Sequence, residues 1–168
     1  SQIVVYWPSS GCETFTNPGI NQSITLTEGA GVRCDAVVTP QVFLQGAAIN
    51  PNTGEESLMR DDLRAGGWLA SRATTSPYAD ALVADAAVFN TTGPDAIVDW
   101  VFVELRDESD NSVILGSQSA LLQRDGDVVS VDGVSPLVFS QLEGRAFVAV
   151  KHRNHLGIIS DDPYSLGV

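Results

Sequence analysis

The sequence predicts an all-β protein: an antiparallel β-sandwich, immunoglobulin-like or jelly-roll-like, with one or two short helices. Two observations predict this class. Short apolar segments rich in β-branched and aromatic residues recur along the chain, most regularly after residue 93. Turn signals such as Asp125-Gly126 and Asp132-Gly133 separate them at a spacing of about 8–12 residues, which is typical of antiparallel sandwiches.

The composition limits what kind of protein this is. The chain has 168 residues, of which 43% are hydrophobic, so it is long and apolar enough for its own core and is not intrinsically disordered. The formal net charge of −12 argues against binding to nucleic acid or to an anionic membrane surface, because both require basic patches. No apolar run approaches the roughly 20 residues of a membrane span, so no membrane insertion is expected.

The cysteines bear on the compartment. Cys12 and Cys34 flank a stretch rich in turn residues, and a disulfide between them closes a loop of about 23 residues, worth about 3 kcal/mol. The alternative is a pair of buried thiols in a cytosolic protein. The chain starts at Ser1 without an initiator methionine, which is typical of a mature end left by signal-peptide removal. We therefore expect a disulfide and an extracellular or cell-surface protein, exported through a cleaved signal peptide.

The first predicted strand is also a candidate assembly strand. Residues 3–7 are apolar and are followed by Pro8, which ends the strand. Burial is expected on both faces, so the strand pairs either with its own sheet or with the open sheet edge of a neighbour. The residues concerned are Ile3, Val4, Val5, Tyr6 and Trp7.

A shift in composition near Thr39-Pro40 divides the chain. Residues 1–39 form an N-terminal strand and disulfide-bearing segment, residues 40–168 form the predicted sandwich domain, and the two are expected to make one folded unit. Strands are expected in the longest apolar run, 96–106, and in the alternating runs 22–27 and 145–151. Shorter strands are expected at 41–45, 113–115, 120–122, 128–131, 137–139 and 158–159.

Two short helices are predicted between the early and late strands. The first covers residues 57–65 and is ended by Gly66-Gly67. The second covers residues 77–84, where Ser76 is a suitable N-cap and Pro77 is tolerated at the first helical position.

From residue 42 onward, several motifs occur in a fixed order over roughly 115 residues. The sequence there resembles an uncharacterised β-rich domain of secreted and surface proteins of Bacteroidota-type bacteria. The resemblance implies an exported bacterial protein of β architecture, and it implies no activity. The motifs that carry it are VFLQG at 42–46, LMRDDLR at 58–64, PY at 77–78, IVDWVFVELRD at 97–107, LLQRDGD at 121–127, DGVSPL at 132–137 and HRNHLG at 152–157.

An acid-rich pair of turns is a candidate calcium site. Asp125, Asp127 and Asp132, with Asp95 or Asp99, offer the oxygen ligands that Ca²⁺ prefers, and glycine permits the tight curvature. The alternative is a pair of ordinary hairpin turns, because no complete twelve-residue calcium loop is present. Apart from calcium, no cofactor is expected.

A histidine pair is a weaker candidate for a metal site. His152 and His155 lie three residues apart, whereas zinc needs three or four ligands. We interpret the pair as hydrogen-bonding residues that hold a turn at a strand end, with Arg153 paired to a carboxylate such as Asp99 or Glu104.

The function predicted from these observations is structural. No nucleophile elbow and no phosphate loop with its lysine is present, so no enzyme activity is predicted. A filament or layer subunit at the cell surface, a homo-oligomer or homopolymer, is the first expectation. A carbohydrate-binding or adhesin module, with a glycan as partner, is the alternative. It depends on aromatic platforms such as Trp68, expected at the surface, whereas Trp100 is expected in the core.

Overall fold

Antiparallel strands dominate the computed structural model, which describes residues 1–8, 11–19, 21–142 and 144–166. The mostly β, antiparallel class predicted from the sequence is confirmed. The strands are β1 (Gln2–Trp7), β2 (Gly11–Thr16), β3 (Val32–Arg33), β4 (Ala36–Val38), β5 (Ile97–Asp107), β6 (Ile114–Gln123), β7 (Val128–Val129), β8 (Leu137–Phe139), β9 (Gly144–His152), β10 (His155–Ile159) and β11 (Tyr164–Leu166). The helices are α1 (Gln45–Ala48), α2 (Asp62–Ala65), α3 (Trp68–Arg72) and a 3-10 helix (Ala86–Asn90).

The largest sheet has its strands in the order β10-β9-β5-β6-β7, and β11 also pairs with β9. Ala146 of β9 pairs with Asp107 of β5 and with Tyr164 of β11, so β11 lies on the side of β9 away from β5. Ala149 likewise pairs with β5 and β10. Strands β10 and β11 therefore follow one another along the same outer edge of this sheet.

Both faces of the largest sheet are covered. On one face, Val101, Val103 and Leu105 of β5 pack with residues of β4 and β8. Strands β4 and β8 pair as a two-stranded ribbon, so we call this the ribbon face. On the other face, Trp100 and Leu121 pack with residues of α3 and the 3-10 helix, and we call this the helix face. Alternate residues of β5 serve alternate faces, as strand geometry requires, and a register shift between Ile97 and Asp99 interrupts the alternation.

A two-stranded ribbon of β4 and β8 covers the ribbon face. Ala36 pairs with Phe139 and Val38 with Leu137, and the core cluster on this face includes Ala36, Leu137 and Phe139. Residues of both sheets thus contribute to one apolar core cluster. Strand β4 lies in this body although it precedes residue 40, so the change from the N-terminal sheet to the body falls between Arg33 and Ala36.

The N-terminal residues form a separate three-stranded sheet, with the order β1-β2-β3. Strand β1 pairs with β2 along its whole length, from Gln2 opposite Thr16 to Trp7 opposite Gly11. In the part of the chain that the structure describes, both core clusters are built from residues after Arg33.

Several predicted elements differ from those observed. The predicted strand 22–27 is a loop, and the predicted helix 57–65 is reduced to α2, which ends before Gly66 as expected. The predicted helix 77–84 does not form in these described residues, because the chain turns back on itself here: the amide of Ser76 donates to the carbonyl of Leu82, and Ala81 has a positive φ. The chain instead forms the 3-10 helix further on, where the Asp85 carboxylate caps the amide of Ala87.

Candidate functional site

The candidate assembly strand β1 lies at the edge of the N-terminal sheet. Its side chains alternate: Ile3, Val5 and Trp7 are half-buried, whereas Val4 and Tyr6 are 47% and 64% exposed. The expectation of burial on both faces is wrong, because the sheet is covered on one side only. Among the described strands, only β2 pairs with β1, so its outer edge is open.

The other side of this sheet exposes apolar side chains on either side of Thr14. Val4 lies opposite Thr14, and Thr14 lies opposite Val32, so the three side chains share one face. Val32 is 55% exposed. We call Val4, Tyr6 and Val32 the exposed N-terminal face. Isolated surface hydrophobics are common, but neighbouring ones on an open strand are typical of an interaction surface.

Glu13 holds the covered side of the sheet together. Its side chain is buried, and its carboxylate accepts hydrogen bonds from the Trp7 indole nitrogen at 3.0 Å, the Gly29 amide at 2.9 Å and the Gly31 amide at 3.4 Å. The loop lies directly over the strand: a Cβ added to Gly31 would lie 2.9 Å from Cβ of Glu13 and from the Phe15 ring. Sequence analysis did not single out Glu13.

The predicted disulfide is confirmed. Cys12 of β2 is bonded to Cys34, with 5.4 Å between their Cα atoms, and neither cysteine is free. The backbone amide of Cys34 also donates a hydrogen bond to the carbonyl of Cys12. The bond therefore joins β2 to the residue pair that leads into β4.

A groove of about 570 Å³, lined by apolar and uncharged polar residues, lies between β4 and the outer strands of the largest sheet. We call it the β4–β10 groove. No charged residue occurs among the described residues that line it. Both bordering strands have an unpaired edge within the described chain, because β4 pairs with β8 alone and β10 with β9 alone. The apolar lining comes mainly from Val37, Val42, Val148, Val150, Ile158 and Ile159.

The three aspartates of the candidate calcium site each accept hydrogen bonds from the protein. Asp125 accepts a hydrogen bond from the Asp127 amide, and Asp127 accepts one from the Gln41 side chain at 2.7 Å. Asp132 binds the amides of Val134 and Ser135 and the Ser135 hydroxyl, and these bonds lower the pKa of its carboxyl group, the hydroxyl most. Among the described residues, no group of three or more histidine, cysteine, aspartate or glutamate side chains is placed to hold a metal ion.

The histidine pair forms a chain of hydrogen bonds at the β9–β10 turn. His152 contacts the buried Asp99 carboxylate at 3.1 Å, and His155 contacts His152 at 2.8 Å. The Gly46 amide donates to His155 at 3.3 Å, and Arg153 donates to Asp99 at 2.8 Å. The predicted turn-holding role of the histidines and the Arg153–Asp99 pair are confirmed. The hydrogen bond from the Gly46 amide to His155 also links this turn to the start of α1.

A second buried carboxylate lies on the helix face. Glu104 binds both Lys151, at 2.5 Å, and Arg106. Burial raises the pKa of the Glu104 carboxyl group, but the hydrogen bonds from Lys151 and Arg106 outweigh it and leave that pKa below its ordinary value. The ion pair with Lys151 joins β5 to the neighbouring strand β9, and the ion pair with Arg106 lies within β5.

Comparison with known proteins gives no relative: no family model, no curated protein and no solved structure matches the chain. The resemblance to a β-rich domain of surface proteins is therefore an expectation from the sequence. The function of this chain is therefore inferred from the open strand edges and the exposed apolar side chains described above.

Proposed function

We propose that this chain is a non-enzymatic extracellular structural protein that assembles with copies of itself at the cell surface, as a filament or layer subunit. The observation that supports the proposal most directly is the edge strand β1. It combines an open edge with the exposed N-terminal face, so it offers main-chain hydrogen bonds and apolar side chains together. A strand that pairs with the open sheet edge of another molecule is bound by this combination of main-chain hydrogen bonds and side-chain contacts.

The position of β1 indicates how assembly occurs. The strand is fully paired with β2, and Glu13 holds Trp7 at its end. Assembly therefore uses the outer edge of β1, and the strand does not leave its own sheet. In this proposal the ribbon and the largest sheet are the two layers of a β-sandwich.

An extracellular location is consistent with the covalent structure. The Cys12–Cys34 disulfide persists in an oxidising compartment. Within the described residues, no helix is both long and apolar enough to cross a membrane. We propose export through a signal peptide that is removed.

The test is the size of the purified protein as the salt concentration changes. The wild-type protein should form polymers that are visible by electron microscopy and that sediment faster than a 17.8 kDa chain. The double variant Val4→Asp, Tyr6→Asp should remain monomeric, because both side chains are exposed in the monomer but become buried in the contact.

The matched control is Val83→Asp, at a 63% exposed valine between α3 and the 3-10 helix, and it should polymerise like the wild type. A wild-type protein that stays monomeric at every concentration and salt level contradicts the proposal. Equal polymerisation of the double variant contradicts the role of β1.

A glycan-binding module is the second candidate, and Trp68 favours it. This tryptophan begins α3 and is 53% exposed, and its ring lies against Gly66, where an added Cβ would be 2.9 Å away. An exposed, fixed indole is a surface on which a sugar ring can stack. Binding on a glycan array that Trp68→Ala abolishes would support this function, and an array without signal would exclude it for the glycans present.

A further inference from the structure

We propose that the β4–β10 groove of a second copy is the acceptor for β1. The inference rests on the proposed function and specifies its contact: the open edge of β1 pairs with the open edge of β10, and the exposed N-terminal face covers the groove. The occupant is a second copy of this chain.

The two surfaces match in the type of edge and in length. Strand β1 has six residues and β10 has five, and each has one unpaired edge among the described strands. Ile158 of β10 lies opposite Val150 on the ribbon face and is 58% exposed, and Val37, at the other border of the groove, is 43% exposed. These side chains face solvent in the monomer and are available to pack against Val4 and Tyr6.

The charge distribution selects the groove among the surfaces of the chain. Two copies that each carry a net charge of −12 repel one another, so a contact between them forms best where neither surface is charged. The described lining of the groove has no charged residue, and residues 1–8 have no charged side chain. Both surfaces are therefore uncharged parts of an acidic protein.

The contact also explains polymer growth. The donor strand and the acceptor groove are different surfaces, so each copy can accept one neighbour and donate to another. A head-to-tail contact of this kind gives an open polymer unless its rotation closes a ring.

A complementation experiment with two blocked variants tests the assignment. The strand-blocked variant is Val4→Asp with Tyr6→Asp, and the groove-blocked variant is Val37→Glu with Ile158→Glu. All four positions are exposed in the monomer, so both variants should keep the wild-type circular dichroism spectrum and melting temperature. Each variant alone should raise the concentration needed for polymerisation about tenfold or more, because the contact would bury unpaired carboxylates.

An equimolar mixture of the two variants should give a dimer that does not grow. The groove-blocked copy donates its intact β1 to the intact groove of the strand-blocked copy, and both remaining surfaces are blocked. Analytical ultracentrifugation should show one species of about twice the 17.8 kDa mass. The Val83→Glu variant, altered at an exposed valine between α3 and the 3-10 helix, should polymerise like the wild type.

The outcomes separate this inference from the proposed function. If the wild type polymerises but the groove-blocked variant polymerises equally well, or the mixture stays monomeric, the groove is not the acceptor and the proposed function stands. If the wild type itself never polymerises, both are wrong.

Discussion

The indole nitrogen of Trp7 donates a hydrogen bond to the buried Glu13 carboxylate at 3.0 Å, which ties the end of β1 to the middle of β2. The same carboxylate receives the amides of Gly29 and Gly31. One side chain thus holds β1 and the covering loop in place, and among the described strands the outer edge of β1 remains unpaired.

Replacing Glu13 should loosen the N-terminal sheet without unfolding the body. Glu13→Ala leaves the Trp7 indole and two loop amides without their acceptor, which costs about 1–3 kcal/mol. Hydrogen exchange should become faster in peptides from residues 1–34 and stay unchanged in β5 and β9. Glu13→Gln keeps one acceptor oxygen and should have the smaller effect. Equal protection in all variants would contradict this role.

Removing the disulfide should destabilise the N-terminal segment. Cys12→Ser with Cys34→Ser releases a loop constraint worth about 3 kcal/mol in the chain-entropy model. Limited proteolysis should then cut within residues 13–33 well before the body is degraded. Mass spectrometry of the unreduced wild type should show a mass two hydrogens below the reduced form. Two alkylated thiols in the native protein would contradict the bond.

Glu104 should contribute to the loss of stability in acid. The pKa of this carboxyl group is lowered in the folded state, so its charge stabilises the fold above its ordinary pKa and the contribution is lost as the pH falls through the folded value. Glu104→Gln should lower the unfolding free energy at pH 7 by about 1–2 kcal/mol, since Lys151 is partly exposed. Melting temperatures should converge as the pH falls from the ordinary glutamate pKa through the lower pKa of the folded state. A constant difference down to pH 2 would refute this linkage.

Trp100 should be the most costly aromatic residue to remove. Its side chain is fully buried on the helix face, and its indole nitrogen donates to the Ala73 carbonyl at 2.7 Å. Trp100→Ala should cost about 3–5 kcal/mol in urea unfolding, and Trp100→Phe less, since the ring is largely retained. The exposed Trp68→Ala should change stability by about 0.5 kcal/mol. Comparable losses at both positions would be inconsistent with this core.

Polymerisation should increase with salt concentration. The net charge of −12 opposes contact at low ionic strength, and the screening length falls from about 10 Å at 0.1 M salt to about 3 Å at 1 M. Light scattering across this range should show a falling critical concentration. A critical concentration that rises with salt would indicate a contact held by opposite charges, which neither surface provides.

The sequence predicted the elements whose pattern is local. The long run at 96–106 and the alternating run at 145–151 became β5 and β9, because their side chains serve the two faces of one sheet. The pairing of β4 with β8 was not predicted, because residues such as Ala36 and Phe139 are far apart in sequence and meet only in the tertiary fold. The run at 22–27 also alternates, but it has no neighbouring strand and Ile24 remains 40% exposed.

The candidate site was predictable to a similar extent. The disulfide and the strand at residues 3–7 follow from residue type and order along the chain. Glu13 was not predictable, because an acid in a strand indicates a solvent-facing position unless the covering loop is known. The groove was not predictable either, since its walls come from β4, β9 and β10, which are distant in sequence.

The disulfide also determines how a polymer of this chain would carry mechanical load. Tension applied at β1 passes through the β1–β2 ladder to Cys12, crosses the sulfur–sulfur bond to Cys34 and reaches β4 after one further residue, Asp35. Of the described chain between the two cysteines, residues 17–19 and 21–33 lie outside this path. The covering loop over Glu13 is therefore shielded from stretching, and each subunit lengthens under force only when the ladder or the body itself yields.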